Sequence, residues 1–135
     1  MATSFRLRIV TPERALVDED VEEVTAPGAA GEFGVLPDHI AFLTVLAPGR
    51  LVYKSGGRRT VLAIFGGYAE VADNVMTVLA DGAEPVLEID AQRAEATLRD
   101  AEAKLATLDP TTPDAVVAKR AANESAARLA AVAER

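Results

Sequence analysis

The chain has no cysteine and only one histidine, His39, in 135 residues. These scarcities remove disulfides, thiolate zinc sites, iron–sulfur clusters, cysteine nucleophiles and Cys/His metal clusters together, leaving carboxylates as the metal ligands on offer. Long apolar runs are missing too. Mean hydropathy is only +0.14, and no stretch reaches the ~18 uninterrupted apolar residues of a transmembrane helix. The first six residues hold no apolar core before charges begin, so neither a secretory signal nor a transit peptide is expected. There is no basic run, and the net charge is −7. Nucleic acid and anionic lipid are poor partners for such a chain, because phosphate affinity needs clustered Lys and Arg. A protein partner with a basic face suits it better. What is present is apolar material: 50% of the residues are hydrophobic, enough for a core.

That material is unevenly distributed. All nine glycines lie at or before Gly82, and all six aromatics at or before Tyr68. The 45 residues from 91 to 135 hold 15 alanines among many Glu, Arg, Leu and Lys. Glycine and aromatics suit turns and sheets, whereas Ala, Leu, Glu and Arg suit helices. The composition predicts an α+β chain: an antiparallel β-sandwich over residues 1–86, then an antiparallel two-helix hairpin over 87–135.

In the first part Phe5, Leu7 and Ile9 alternate with Arg6 and Arg8, the period of a half-buried strand. Residues 21–26 and 40–46 read as further strands, ended by Pro27-Gly28 and Pro48-Gly49. Residues 51–54 and 60–65 flank Ser55-Gly56-Gly57-Arg58, a hairpin signal, and 68–71 and 75–79 flank the tight turn Asp73-Asn74. Turn signals every 8–12 residues belong to sandwiches and barrels. The acidic run Asp18-Glu19-Asp20 reads as a solvated loop and strand edge, since it lacks the ligand spacing of a calcium loop.

In the second part Asp90 is a good N-cap. Ala94, Leu98, Ala101, Leu105 and Leu108 follow at 4-3-4-3 spacing on one stripe. Asp109 to Pro113 breaks the helix, with Thr112 placed to cap the next and Pro113 at its first position. Ala118, Ala122, Ser125, Leu129 and Val132 repeat the stripe. The seam is thin, because Ala in place of Leu forfeits roughly 2 kcal/mol of burial at each position. Weak helix–helix cohesion follows, so that docking on the sandwich or on a partner sets the arrangement of the arm.

Catalytic signals are poor. His39 has Asp38 beside it and Glu32 nearby, but neighbours in an extended segment point to opposite faces, and no nucleophile elbow occurs. The glycines at 31, 34, 66 and 67 lack the ending of a phosphate loop and read as turn or close-packing glycines. The helix cations read as a solvated face with partners one turn away, such as Asp100–Lys104 and Glu124–Arg128. Residue patterns alone leave open a ligand-binding or nucleotide-sensing sandwich with a mobile arm.

One segment is more specific. Gly31-Glu32-Phe33-Gly34-Val35-Leu36-Pro37-Asp38-His39 resembles the signature of the epsilon subunit of bacterial F-type ATP synthases. Leu46-Ala47-Pro48-Gly49, Gly66-Gly67-Tyr68-Ala69-Glu70-Val71, Asn74 to Ala80 and Ile89-Asp90-Ala91-Gln92-Arg93-Ala94 are similar to that family's next blocks, in order, so the resemblance covers essentially the whole chain.

The resemblance implies a non-catalytic, peripheral subunit on the cytoplasmic face of the bacterial membrane. Its sandwich would bind the gamma subunit and the polar loops of the c ring, coupling ring rotation to gamma. Its helical arm would fold against the sandwich or extend into the alpha/beta catalytic head and block ATP hydrolysis. Glu32 matches a family position facing the c ring, and His39 one near gamma. No cofactor is required. Some members bind ATP at the hairpin through a motif met here by Ile89, Asp90, Arg93 and Ala94, together with two arginines one turn apart. Arg120 or Arg128 supplies one of these, but Glu124 stands where the other belongs, so weak ATP binding is expected.

Overall fold

The structure, a computed structural model, describes residues 2–135. Among them eight strands precede two α-helices: β1 (Phe5–Val10), β2 (Ala15–Val21), β3 (Glu23–Gly28), β4 (Gly31–Val35), β5 (Phe42–Ser55), β6 (Arg58–Ala72), β7 (Val75–Ala80), β8 (Ala83–Pro85), α1 (Ala91–Leu105) and α2 (Pro113–Val132). A 3-10 turn, Val86–Glu88, joins strands to helices. The fold is thus the expected α+β one, a β-sandwich followed by a helical hairpin. All the strand pairings are antiparallel except β1 with β7.

Strand β1 follows its alternation. Phe5, Leu7 and Ile9 enter the core, while Arg6 and Arg8 turn out to Asp18 on β2, at 2.7 and 3.6 Å. The acidic run therefore does lie on an edge, since β2 ends the sheet order β2-β1-β7-β6-β5-β3-β4. It is a strand and not a loop: Val17 and Val21 sit opposite Ile9 and Phe5, and three acids between them hide the alternation. Likewise the glycines at 31 and 34 lie within β4, paired along β3.

Two expected pairs of short strands are in fact two long ones. β5 and β6 stay in register from Phe42↔Val71 to Ser55↔Arg58, through Pro48-Gly49 and Gly66-Gly67. Pro48 falls inside the interruption of the β3–β5 ladder, between Leu46 and Val52, where no bridge requires its missing N–H. Gly67 has φ +130, and a Cβ there would lie 2.1 Å from the Leu79 carbonyl oxygen, so only glycine fits. These breakers mark a changeover between layers. The turn-proximal half of β6 pairs with β8 and its far half with β7. Both tight turns are as expected, with left-handed residues at Gly56-Gly57 and at Asp73-Asn74.

The helix ends also follow the expected chemistry. Asp90 Oδ1 accepts from the Arg93 N–H at 3.1 Å, and Thr112 Oγ1 accepts from the Ala115 N–H at 3.3 Å with Pro113 at the first position. The small members of the stripes, Ala94, Ala101, Ala118, Ala122 and Ser125, are buried in the seam, and the large ones are half-buried. Helix α1 packs on α2, and α2 packs on β5 and β6.

Candidate interaction surfaces

Two outer surfaces of the sandwich carry the features a partner would read. On the first half of β6, Val61, Leu62, Ala63 and Ile64 are buried without alternation. Leu62 and Ile64 belong to the sandwich core, whereas Val61 and Ala63 join Val86, Ile89, Ala127 and Ala131 in a second cluster beneath α2. A strand covered on both faces reads as a continuous apolar run, and the arm supplies the second cover. The stripe pattern missed this face of α2; the unbroken run at 61–64 was the signal that could have found it.

Charges fasten the arm at two points. Arg128 Nε donates to Glu84 Oε1 on β8 at 2.5 Å and Nη2 to Oε2 at 3.3 Å, with the guanidinium carbon 4.8 Å from the Phe65 ring centre. Past the end of α2, Glu134 pairs with Arg50 on β5 at 2.9 Å and with Arg59 on β6. The expected Glu124–Arg128 pair does not form. Glu124 instead accepts from Arg120 at 2.9 Å, because Arg128 is drawn to the sandwich. The Asp100–Lys104 pair forms, at 3.1 Å.

The far half of the same hairpin is bare. Val45, Tyr68 and Leu79 are register partners across β5, β6 and β7, and with Leu43 they are 50–69% exposed. Four large apolar side chains side by side on one open sheet face are what a protein interface provides.

Glu32 lies on the terminal strand and His39 in the connection from β4 to β5. Glu32 is exposed on β4, the terminal strand, and pairs with Arg50 at 3.4 Å. His39 follows a turn, not an extended segment: Asp38 has φ 64 and the His39 N–H donates to the Leu36 carbonyl at 3.2 Å. Asp38 accepts from the Ala2 backbone N–H, and the His39 ring nitrogen Nδ1 meets the Ile40 carbonyl at 2.8 Å. The imidazole packs on Phe42, 5.1 Å between ring centres, and Phe42 in turn meets Phe33 edge-on. Among the described residues no carboxylate hydrogen-bonds this imidazole as a general base requires, and the ring packs on Phe42.

The four nucleotide-motif residues have different partners in the structure. Asp90 caps α1, and Arg128 is occupied by Glu84. Arg93 forms no ion pair among the described residues. Arg120 alone of the four lines a cavity of about 710 Å³ between arm and sandwich, with Phe65, Asp81, Val116, Lys119 and Glu124.

Ionisation is perturbed at two exposed carboxylates. The hydrogen bond from Arg6 holds Asp18 below the ordinary carboxylate range. The backbone and hydroxyl of Thr111 do the same for Asp109 in the loop between the helices. Burial pushes the Tyr53 hydroxyl up. Among the described residues no three carboxylate or histidine groups converge as a metal site requires, and no helix is long and apolar enough to cross a membrane.

Comparisons with known proteins agree with this architecture. Residues 4–86 match the family model of the ATP synthase delta/epsilon chain β-sandwich domain. The chain is 44% identical to an ATP synthase epsilon chain of Geobacter sulfurreducens, over 96% of this chain and 94% of that one. It is 49% identical to one of Geobacter metallireducens, over 82% and 80%. Among solved structures it is similar to a chain of the Euglena gracilis mitochondrial ATP synthase, OSCP/F1/c-ring, with TM-score 0.82, 28% identity, and coverage of 93% of this chain and 79% of that one.

Proposed function

The chain belongs to the epsilon-chain family of F-type ATP synthases, as a subunit of the central stalk, and from that premise we propose what each of its surfaces does. The bare face of Leu43, Val45, Tyr68 and Leu79 seats on the gamma subunit, with His39 and Phe42 beside it. The β4 edge, led by Glu32, meets the polar loops of the c ring. Residues 1–86 form the stalk-binding domain and residues 87–135 the regulatory arm. The subunit performs no chemistry of its own and sits peripherally at the cytoplasmic face of the bacterial membrane.

The observation that carries this reading is the pairing of one arm-covered face with one bare apolar face. Apolar side chains left half to two-thirds exposed imply a partner in the working state. The arm, by contrast, is held by alanine contacts and partly exposed ion pairs, which are individually weak. When the arm extends, Arg128 leaves Glu84 and becomes available to acidic groups of the alpha/beta catalytic head, where it suppresses ATP hydrolysis. Nucleotide binds the folded arm weakly at most, because Arg128 and Arg120 already have carboxylate partners and Glu124 repels a triphosphate.

The test is ATP hydrolysis by an F-type ATPase depleted of its epsilon subunit. Adding back the full chain suppresses hydrolysis, whereas a version ending near Leu87 binds and does not suppress. If both bind and neither inhibits, the arm is not an inhibitor. If neither binds, the assignment of the bare face to gamma fails.

A further inference from the structure

Arg50 on β5 stands between two carboxylates from different parts of the molecule. Its Nη2 lies 3.4 Å from Glu32 Oε2 on β4, and its Nε lies 2.9 Å from Glu134 Oε1 beyond the end of α2. Strand β3 runs between β5 and β4. The strands close up here: Pro27 of β3 is the register partner of Glu32, and a Cβ on Gly49 would lie 2.7 Å from the Pro27 Cβ. Glu134 is held in turn by Arg59 of β6, which also donates from Nη1 to the Glu134 backbone carbonyl at 2.8 Å. Charges therefore alternate from the sheet edge to the tip of the arm: Glu32, Arg50, Glu134, Arg59.

We infer that Arg50 couples the two ends of this row, so that a cationic partner group engaging Glu32 tightens the docking of the arm. The inference rests on the reading of Glu32 as a partner contact. Its physics is the division of one charge. Glu32 and Glu134 compete for the Arg50 guanidinium and repel each other. A lysine or arginine of a partner that neutralises Glu32 leaves Arg50 wholly to Glu134 and removes the repulsion. By linkage, a docked arm makes Glu32 a better receptor for that cation by the same factor. All four side chains are partly exposed, so the coupling is modest and fades with salt.

The experiment uses the full chain, which takes site-specific dyes cleanly because it has no cysteine of its own. Dyes on cysteines introduced at exposed Thr3 and Ala103 report the docked-to-free ratio of the arm by energy transfer in dilute salt. Glu32→Gln raises that ratio roughly two- to threefold, and Arg50→Gln lowers it by a similar factor. With Glu134→Gln the Glu32→Gln effect vanishes, and in the Arg50→Gln background it shrinks to the direct repulsion between the two carboxylates. A ratio unmoved by Glu32→Gln, or one that rises equally in every background, overturns the coupling. Co-purification with the c ring is scored separately. Undiminished co-purification of the Glu32→Gln chain overturns the ring-contact reading of Glu32, while the free-chain cycle still decides the role of Arg50.

Discussion

Strands β5 and β6 build both outer faces of the sandwich, and the two faces are finished in opposite ways. Where the hairpin approaches its turn, Val52, Val61, Ala63 and Phe65 are covered by Ala127, Ala131 and Val132 of the chain's own arm. Beyond Pro48 and Gly67 the outward residues Leu43, Val45, Tyr68 and Leu79 are large and uncovered. A joint whose arm side is mostly alanine, rimmed by partly exposed charges, opens at low cost, since each such ion pair contributes ~0–1 kcal/mol. Large apolar side chains on a flat sheet give a joint that, once made, resists opening. What covers each face thus separates a reversible intramolecular contact, made by an alanine-rich arm, from a lasting intermolecular one, on the same pair of strands.

The strongest way to break this contrast is to charge the bare face. Tyr68→Asp is expected to cost assembly with gamma ~3 kcal/mol, more than a hundredfold in affinity. The free chain should melt within about a degree or two of the native one, because an exposed substitution shifts stability by ~0.5 kcal/mol or less. Co-purification and a thermal melt measure the two halves, and undiminished assembly would remove the bare face from the interface. The covered face should respond differently. Arg128→Ala removes a two-point carboxylate pair and a cation over Phe65, together ~1–2 kcal/mol of arm docking. The expected signature is faster amide exchange throughout α2 with strands β1, β6 and β7 unchanged. Equal acceleration in both parts would mean that arm and sandwich open as one unit.

Much of this contrast was legible in the residue pattern, and the illegible part has definite causes. Glycine and alanine partitioning locates the sandwich and the hairpin, and the caps Asp90 and Thr112 are legible because capping is local chemistry. Continuity of β5 and β6 was not legible. Pro48-Gly49 and Gly66-Gly67 break strands in most settings, and only the neighbouring strands show that they here permit a crossing between layers. Alternation in 42–46 and 75–80 identifies two faces for each strand but not which of them stays uncovered. Helix spacing points Arg128 to Glu124, whereas its real partner Glu84 stands 44 residues away in sequence. Long-range pairs of this kind leave no periodic trace.

A smaller change sharpens the comparison in the stabilising direction. Ser125 is fully buried on α2, and its Oγ has no hydrogen-bond partner among the described residues. An unpaired buried hydroxyl costs ~1 kcal/mol or more, and its removal leaves a methyl group that suits an alanine-lined seam. Ser125→Ala should therefore stabilise the arm by ~1 kcal/mol and slow exchange in α2, again without effect on the bare face. Faster exchange would mean that the hydroxyl bonds to water inside the seam and contributes to cohesion.

The smallest effect is a pH dependence that separates the two regions. Asp18 of the sandwich and Asp109 of the helical loop both have depressed pKa values, the first through the hydrogen bond from Arg6 and the second through Thr111. A depressed carboxylate stabilises the fold at pH above its unfolded value, ~3.9 for Asp, and that contribution disappears as pH falls through the folded value. Both regions should therefore loosen below pH ~4 and be insensitive to these groups at neutral pH. Because the two carboxylates sit in different parts, Asp109→Asn should flatten the acid loss of protection in α1 and α2 alone, and Asp18→Asn that in β1 and β2 alone. Both groups are solvent-exposed, so each change is small. Amide protection followed from pH 5 to 3 resolves them by location. If either variant altered the acid response of both regions together, the arm and the sandwich would share one cooperative unit, and the reversible joint inferred from their contact would have to be abandoned.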